Sequence, residues 1–104
     1  MKRAKIIHLI KKKIKETSPD ADIILYGSEA RGESRPDSDI DILILVNTEY
    51  LSFKDKSRIT DAVYDLELET GVLISPLVYT KRQWENRPFK TPFYINVMNE
   101  GITL

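Results

Sequence analysis

The chain has 104 residues, 41% hydrophobic and 31% charged, with sixteen Lys+Arg balanced by sixteen Asp+Glu. That length reads as a single domain over residues 1–104, too short for a catalytic domain with a second one beside it. The charge balance leaves no strongly basic footprint, so nucleic acid is not an expected partner. With no cysteine and one histidine, His8, disulfides, thiolate metal sites, cysteine nucleophiles and His-based metal clusters are excluded. No apolar run approaches the ~20 residues that span a bilayer. The basic start, Met1-Lys2-Arg3-Ala4-Lys5, leads into no signal-peptide core, which predicts a cytoplasmic protein.

In chain order, residues 2–16 predict an amphipathic helix. Ile6, Ile7, Ile10 and Ile14 share one side, and the lysines and His8 face solvent. Thr17 to Asp20 end it. Ile23-Ile24-Leu25-Tyr26 is an unbroken apolar run, as expected of a strand covered on both faces, and it stops at Gly27-Ser28. Residues 29–38 read as loop or a short helical turn. Residues 39–46 predict a second strand and residues 54–70 a second helix, with Ile59, Ala62, Val63 and Leu66 on one face and Gly71 as its stop. Residues 72–79 predict a third strand, at a sheet edge or bulged because Pro76 cannot donate to a ladder. Trp84, Phe89, Phe93 and Tyr94 are expected to close the core, and Thr91-Pro92 starts a last helix that Gly101 stops. The order gives a small α/β or α+β domain with one mixed sheet packed with helices.

The chemistry concentrates between Gly27 and Asp41. Asp39 and Asp41 lie two apart on a strand, so their carboxylates face one side with Cα atoms about 6.6 Å apart. Two like charges repel unless a cation sits between them. A hard ion such as Mg²⁺ takes oxygen ligands of this kind, together with phosphate and water. Upstream, Gly27 lets backbone approach a ligand, and a helical turn starting at Ser28 points free N–H groups outward, which makes a phosphate cradle. Arg31 adds a phosphate contact or pairs with a nearby carboxylate. A phosphate cradle beside a Mg²⁺ dyad is equipment for phosphoryl or nucleotidyl transfer. No Gly-Lys-Ser/Thr follows, so this is not a Walker A loop.

Gly27-Ser28-x-x-Arg31-Gly32, followed by Ser38-Asp39-x-Asp41, resembles the signature of the DNA polymerase β-like nucleotidyltransferase superfamily. Within it the short chain is similar to the minimal nucleotidyltransferases. The resemblance implies a polymerase β palm-like fold. It implies Asp39 and Asp41 as catalytic metal ligands for Mg²⁺, and Gly27, Ser28, Arg31 and Ser38 as the nucleotide-binding set. It also implies transfer of a nucleoside monophosphate, usually AMP from ATP, to a hydroxyl. Many such proteins are antitoxins that modify a tyrosine of a HEPN-type toxin, so a toxin of that type is the implied partner.

One departure stands out. Active members of the superfamily it resembles usually carry a third carboxylate on the next strand, facing the first two. Here that strand reads Val72-Leu73-Ile74-Ser75-Pro76-Leu77-Val78-Tyr79, with no acidic residue between Glu69 and Glu85. Glu67 and Glu69 are the available substitutes, although a solvated helix end is their simpler expected place. Two outcomes follow: an enzyme, or a nucleotide-binding interaction module that turns over slowly. Tyr26 and Tyr79 flank the sheet ends near the same place.

Overall fold

A computed structural model describes residues 2–104; Met1, the first residue of the basic run, lies outside the described residues. Helix α1 runs Arg3–Thr17, β1 Asp22–Tyr26, β2 Ile40–Val46, α2 Phe53–Thr70 and β3 Ile74–Thr80. Then come α3 Lys81–Glu85, α4 Pro92–Glu100 and β4 Ile102–Thr103. The strands form one mixed sheet in the order β3-β2-β1-β4. The hairpin partners β1 and β2 are antiparallel, as are β1 and β4, whereas β2 and β3 are parallel. A parallel pair needs a crossover between its strands, and α2 provides it.

Local chemistry explains most boundaries. Ser52 caps α2 by accepting from the Asp55 N–H at 3.0 Å. Gly71, at φ +73°, ends it with its N–H on the Glu67 carbonyl. Thr91 caps α4, with Pro92 in its first turn. As expected, β3 is an outer strand, where a proline is tolerated. The sequence reading passed over α3 and β4. Thr80 and Gln83 form a reciprocal capping box, each side chain bonded to the other's N–H at 3.0 Å, and this starts α3.

The sheet buries side chains on both faces. On one face Ile23, Leu25, Ile42, Ile44 and Val78 meet Ile6, Ile10 and Ile14 of α1 and Ile59, Val63 and Leu66 of α2. On the other, Leu43 and Leu45 pack with Trp84 and Val97, flanked by Ile24, Tyr26, Leu77, Tyr79 and Tyr94. Central β2 is therefore almost wholly buried. The aromatic expectation divides. Trp84 is core, 3% exposed, with the Tyr94 ring centroid 4.8 Å away, but Phe89 is 79% exposed and closes nothing. The α3 and α4 elements cover the second face only in part, and its uncovered end carries the candidate site.

Candidate functional site

Register assembles the site. Tyr26 on β1 pairs with Asp41 on β2, and Asp41 pairs with Ser75 on β3. Partners in register point to one face, so a tyrosine, a carboxylate and a hydroxyl stand in a row. Side chains two apart on a strand share a face, so Asp41 stands on the same side as Leu43. β2 begins at Ile40 rather than Asp39, and Asp39 lies just before it, near enough for its charge to act on Asp41. Asp39 is exposed and Asp41 half-buried. Burial, then the Asp39 charge, push the Asp41 carboxyl above the usual aspartate range, with Arg31 partly opposing them. Tyr26 is raised too, first by burial and then by the Asp41 charge, so its phenol stays protonated at neutral pH.

Gly27 leaves β1 at φ +74°. A Cβ at this position would meet Asp41 Oδ2 at 2.5 Å, so the carboxylate lies directly against the glycine. The chain then makes one helical turn. The Arg31 N–H bonds the Gly27 carbonyl at 3.2 Å, Gly32 N–H the Glu29 carbonyl at 3.2 Å, and Glu33 N–H the Ser28 carbonyl at 2.9 Å. With Gly32 at φ +72°, this is the Schellman arrangement that normally closes a helix. The N–H groups of Ser28, Glu29 and Ala30 find no acceptor among the described residues. They are the outward donors of a first helical turn.

Arg31 and Ser38 are engaged within the chain. Arg31 Nε donates to Glu33 at 3.1 Å and its Nη1 to Glu100 at 3.4 Å. Of the two arrangements expected for Arg31, the carboxylate pair is the one formed here. The Ser38 hydroxyl accepts from the Arg35 N–H at 2.8 Å, and the Ser38 N–H bonds the Arg35 carbonyl at 2.9 Å. Ser38 thus closes the turn that delivers Asp39. Beside the Gly27 turn lies a cavity of about 220 Å³, lined by Tyr26, Arg31, Phe93, Asn96 and Glu100 among others. Tyr26 and Phe93 meet there edge to face, with centroids 5.4 Å apart.

Among the described residues no third His, Cys, Asp or Glu joins the aspartates in a metal-holding group. Glu67 is not the solvated residue expected. Its Oε1 accepts from the Ile74 N–H at 2.8 Å, half-buried at the start of β3. Glu69 is exposed and lines a groove with Leu9, Lys12 and Glu16 of α1. The donor set at Asp39 and Asp41 is therefore two hard oxygen groups in mutual repulsion. That fits Mg²⁺ sharing its shell with phosphate and water rather than a metal caged by protein alone. Arg3 is a residue that sequence reasoning missed. It reaches from α1 to Glu29, Pro36 and Ser38, and a position in a lysine-rich run gave no sign of it.

The chain is similar to several known proteins. The profile of the family described as "Nucleotidyltransferase domain" matches residues 7–103. Two curated Methanocaldococcus jannaschii proteins are similar. "Putative protein adenylyltransferase MJ0141" is 39% identical over 77% of this chain and 74% of its own length. "Putative protein adenylyltransferase MJ0604" is 35% identical over 79% of this chain and 75% of its own. A solved "putative minimal nucleotidyltransferase" superposes with TM-score 0.57 at 26% identity, covering 98% of this chain and 91% of that one. A toxin-antitoxin crystal structure with AMP-PNP shares the fold, with TM-score 0.64 at 18% identity over 92% of this chain and 69% of that one.

Proposed function

The chain belongs to the nucleotidyltransferase domain family, and on that premise we propose that it is a Mg²⁺-dependent adenylyltransferase acting on a partner protein in the cytoplasm, with residues 1–104 forming one domain. The observation that carries the reading is the contact between the Asp41 carboxylate and Gly27. It sets one carboxylate of the acidic pair directly beside a turn whose first amides have no acceptor among the described residues. The likeness to two proteins named as protein adenylyltransferases supports AMP as the group moved and protein as the acceptor class.

In this reading the Ser28, Glu29 and Ala30 amides take phosphate oxygens, as helix N-terminal amides do. Arg31 exchanges a carboxylate partner for phosphate, a bidentate contact suited to guanidinium. Ser38 holds the loop that presents Asp39. Asp39 and Asp41 would hold Mg²⁺, which when bound neutralises charge on carboxylates and triphosphate. The acceptor hydroxyl oxygen attacks the α-phosphorus in line. The bond from that phosphorus to the bridging oxygen breaks, pyrophosphate leaves with the electron pair, and the hydroxyl proton passes to water. The acceptor proposed is a tyrosine of a HEPN-type toxin. A toxin-antitoxin structure with a nucleotide analogue shares this fold, which supports that partner class.

One observation favours a second reading. Ser75 occupies the register position beside Asp41, and a neutral hydroxyl neither replaces a carboxylate ligand nor accepts the acceptor's proton. In that reading the protein binds nucleotide, transfers slowly and acts as an antitoxin by complex formation. Label transfer separates the two. The protein is incubated with Mg²⁺ and α-labelled ATP in lysate of its host, beside Asp39→Asn and Asp41→Asn. A labelled protein band lost in both variants is expected. Absence of any band with Mg²⁺-ATP binding intact would sink the transfer reading and leave the second.

A further inference from the structure

Arg3 opens α1 at a place where local physics disfavours it. The positive end of a helix dipole prefers acidic residues. The first turn of α1 has none, and its N-cap residue, Lys2, makes no side-chain cap. A reason from elsewhere in the fold is therefore needed, and the guanidinium shows it. Arg3 Nε donates to Glu29 Oε1 at 3.0 Å, Nη2 to the Ser38 carbonyl at 2.8 Å and Nη1 to the Pro36 carbonyl at 3.3 Å. The paired side chains are 18% and 8% exposed, so this is no solvated surface pair.

The acceptors belong to two different parts of the site. Glu29 lies in the turn with free amides, and Pro36 and Ser38 lie in the segment that delivers Asp39. A rigid planar fork meets acceptors on both segments only when they hold one spacing, a constraint that a flexible lysine ammonium does not impose. We propose that Arg3 is a positioning residue: it locks the 28–31 turn against the 36–38 loop and so sets the separation between phosphate-facing amides and the Asp39 carboxylate. The inference rests on the nucleotide-site reading above for its functional half, and on geometry alone for its structural half. Partners that orient metal ligands from behind typically change affinity or activity 10–100-fold when lost.

The test uses Arg3→Lys and Arg3→Ala, with Lys11→Gln on the same helix as a control. Hydrogen exchange is followed without nucleotide, and Mg²⁺-ATP binding by titration. Arg3→Lys is expected to speed exchange across residues 28–39 while leaving β2 and β3 protected. It should weaken Mg²⁺-ATP binding roughly tenfold or more, with Arg3→Ala at least as affected and Lys11→Gln unchanged. Loosening spread evenly over the sheet, or none in residues 28–39, would overturn the proposal. So would a Mg²⁺-ATP affinity unchanged in both variants while the wild type binds. If the wild type binds no Mg²⁺-ATP, the nucleotide reading falls by itself. Exchange then decides the lock: local loosening keeps it, and no loosening removes it.

Discussion

Gly27→Ala tests whether the glycine holds Asp41 in its working place. Gly27 sits at φ +74°, and an added Cβ stands 2.5 Å from Asp41 Oδ2. Gly71 supplies the control, because it has nearly the same φ, +73°, with nothing within 4 Å of an added Cβ. Left-handed backbone costs an alanine ~1–2 kcal/mol. A less flexible unfolded chain returns ~0.4–1 kcal/mol. The difference leaves roughly 1 kcal/mol for either variant, a fall in Tm of ~4–8 °C for a chain of this size. Only Gly27→Ala must also displace the carboxylate. Asp41 Cγ and Cβ lie 3.4 and 3.5 Å from the added atom, so the side chain swings while the strand stays. An off-rotamer side chain adds ~0.5–1.5 kcal/mol. A shift of about 1 Å at a reacting centre is worth ~10²-fold in rate. Thermal melts beside the labelled-ATP assay should therefore show two modestly destabilised variants, of which only Gly27→Ala loses transfer by about two orders of magnitude. Equal activity in the two variants would refute the placement of Asp41 as the reason for Gly27.

Two further outcomes follow from the same row of side chains. Ser75→Asp puts a carboxylate next to Asp41, one strand spacing of about 4.8 Å away. Without metal it should lower Tm by like-charge repulsion. With Mg²⁺-ATP it should raise transfer at least tenfold, since an activating base typically contributes ~10²–10⁴-fold; unchanged transfer with nucleotide bound would show that the missing acid does not limit the rate. Asp41→Asn should raise Tm at neutral pH in metal-free buffer. Burial and Asp39 hold the folded-state value of Asp41 above its unfolded one. The stability linked to this group is thus complete at pH below the ordinary aspartate value and is lost as pH rises through the raised one. The gain in Asp41→Asn should accordingly vanish in acid, and a gain that persists there would contradict the electrostatic cause.

What the sequence made legible was whatever depends on near neighbours. Ile6, Ile10 and Ile14, spaced by four, mark the buried face of α1, and Gly71 stops α2 through a bond reaching four residues. Pro76 narrowed β3 to an edge or a bulge, and the strand order makes it the edge. The nearness of Asp39 to Asp41 follows from their spacing in the chain, although β2 takes up the pleat only at Ile40. Features that depend on distant partners were not legible. Thr80-Lys81-Arg82-Gln83 carried the spacing of a capping box, yet the expected strand stopped at Tyr79, the residues after it drew notice only for their aromatics, and α3 was passed by. Glu67 looked like any charge at a helix end until β3 began beside it with an N–H to satisfy. Arg3 looked like one more cation in a basic run, and its acceptors are 26 to 35 residues away. The same division accounts for the site. The motif names the groups proposed to touch nucleotide because they lie close together in the chain. The groups that hold those residues in place come from wherever the fold brings a rigid donor or a small residue alongside. Gly27 belongs to both kinds: its φ is a local matter of the turn, but its lack of a side chain answers to Asp41 on the neighbouring strand.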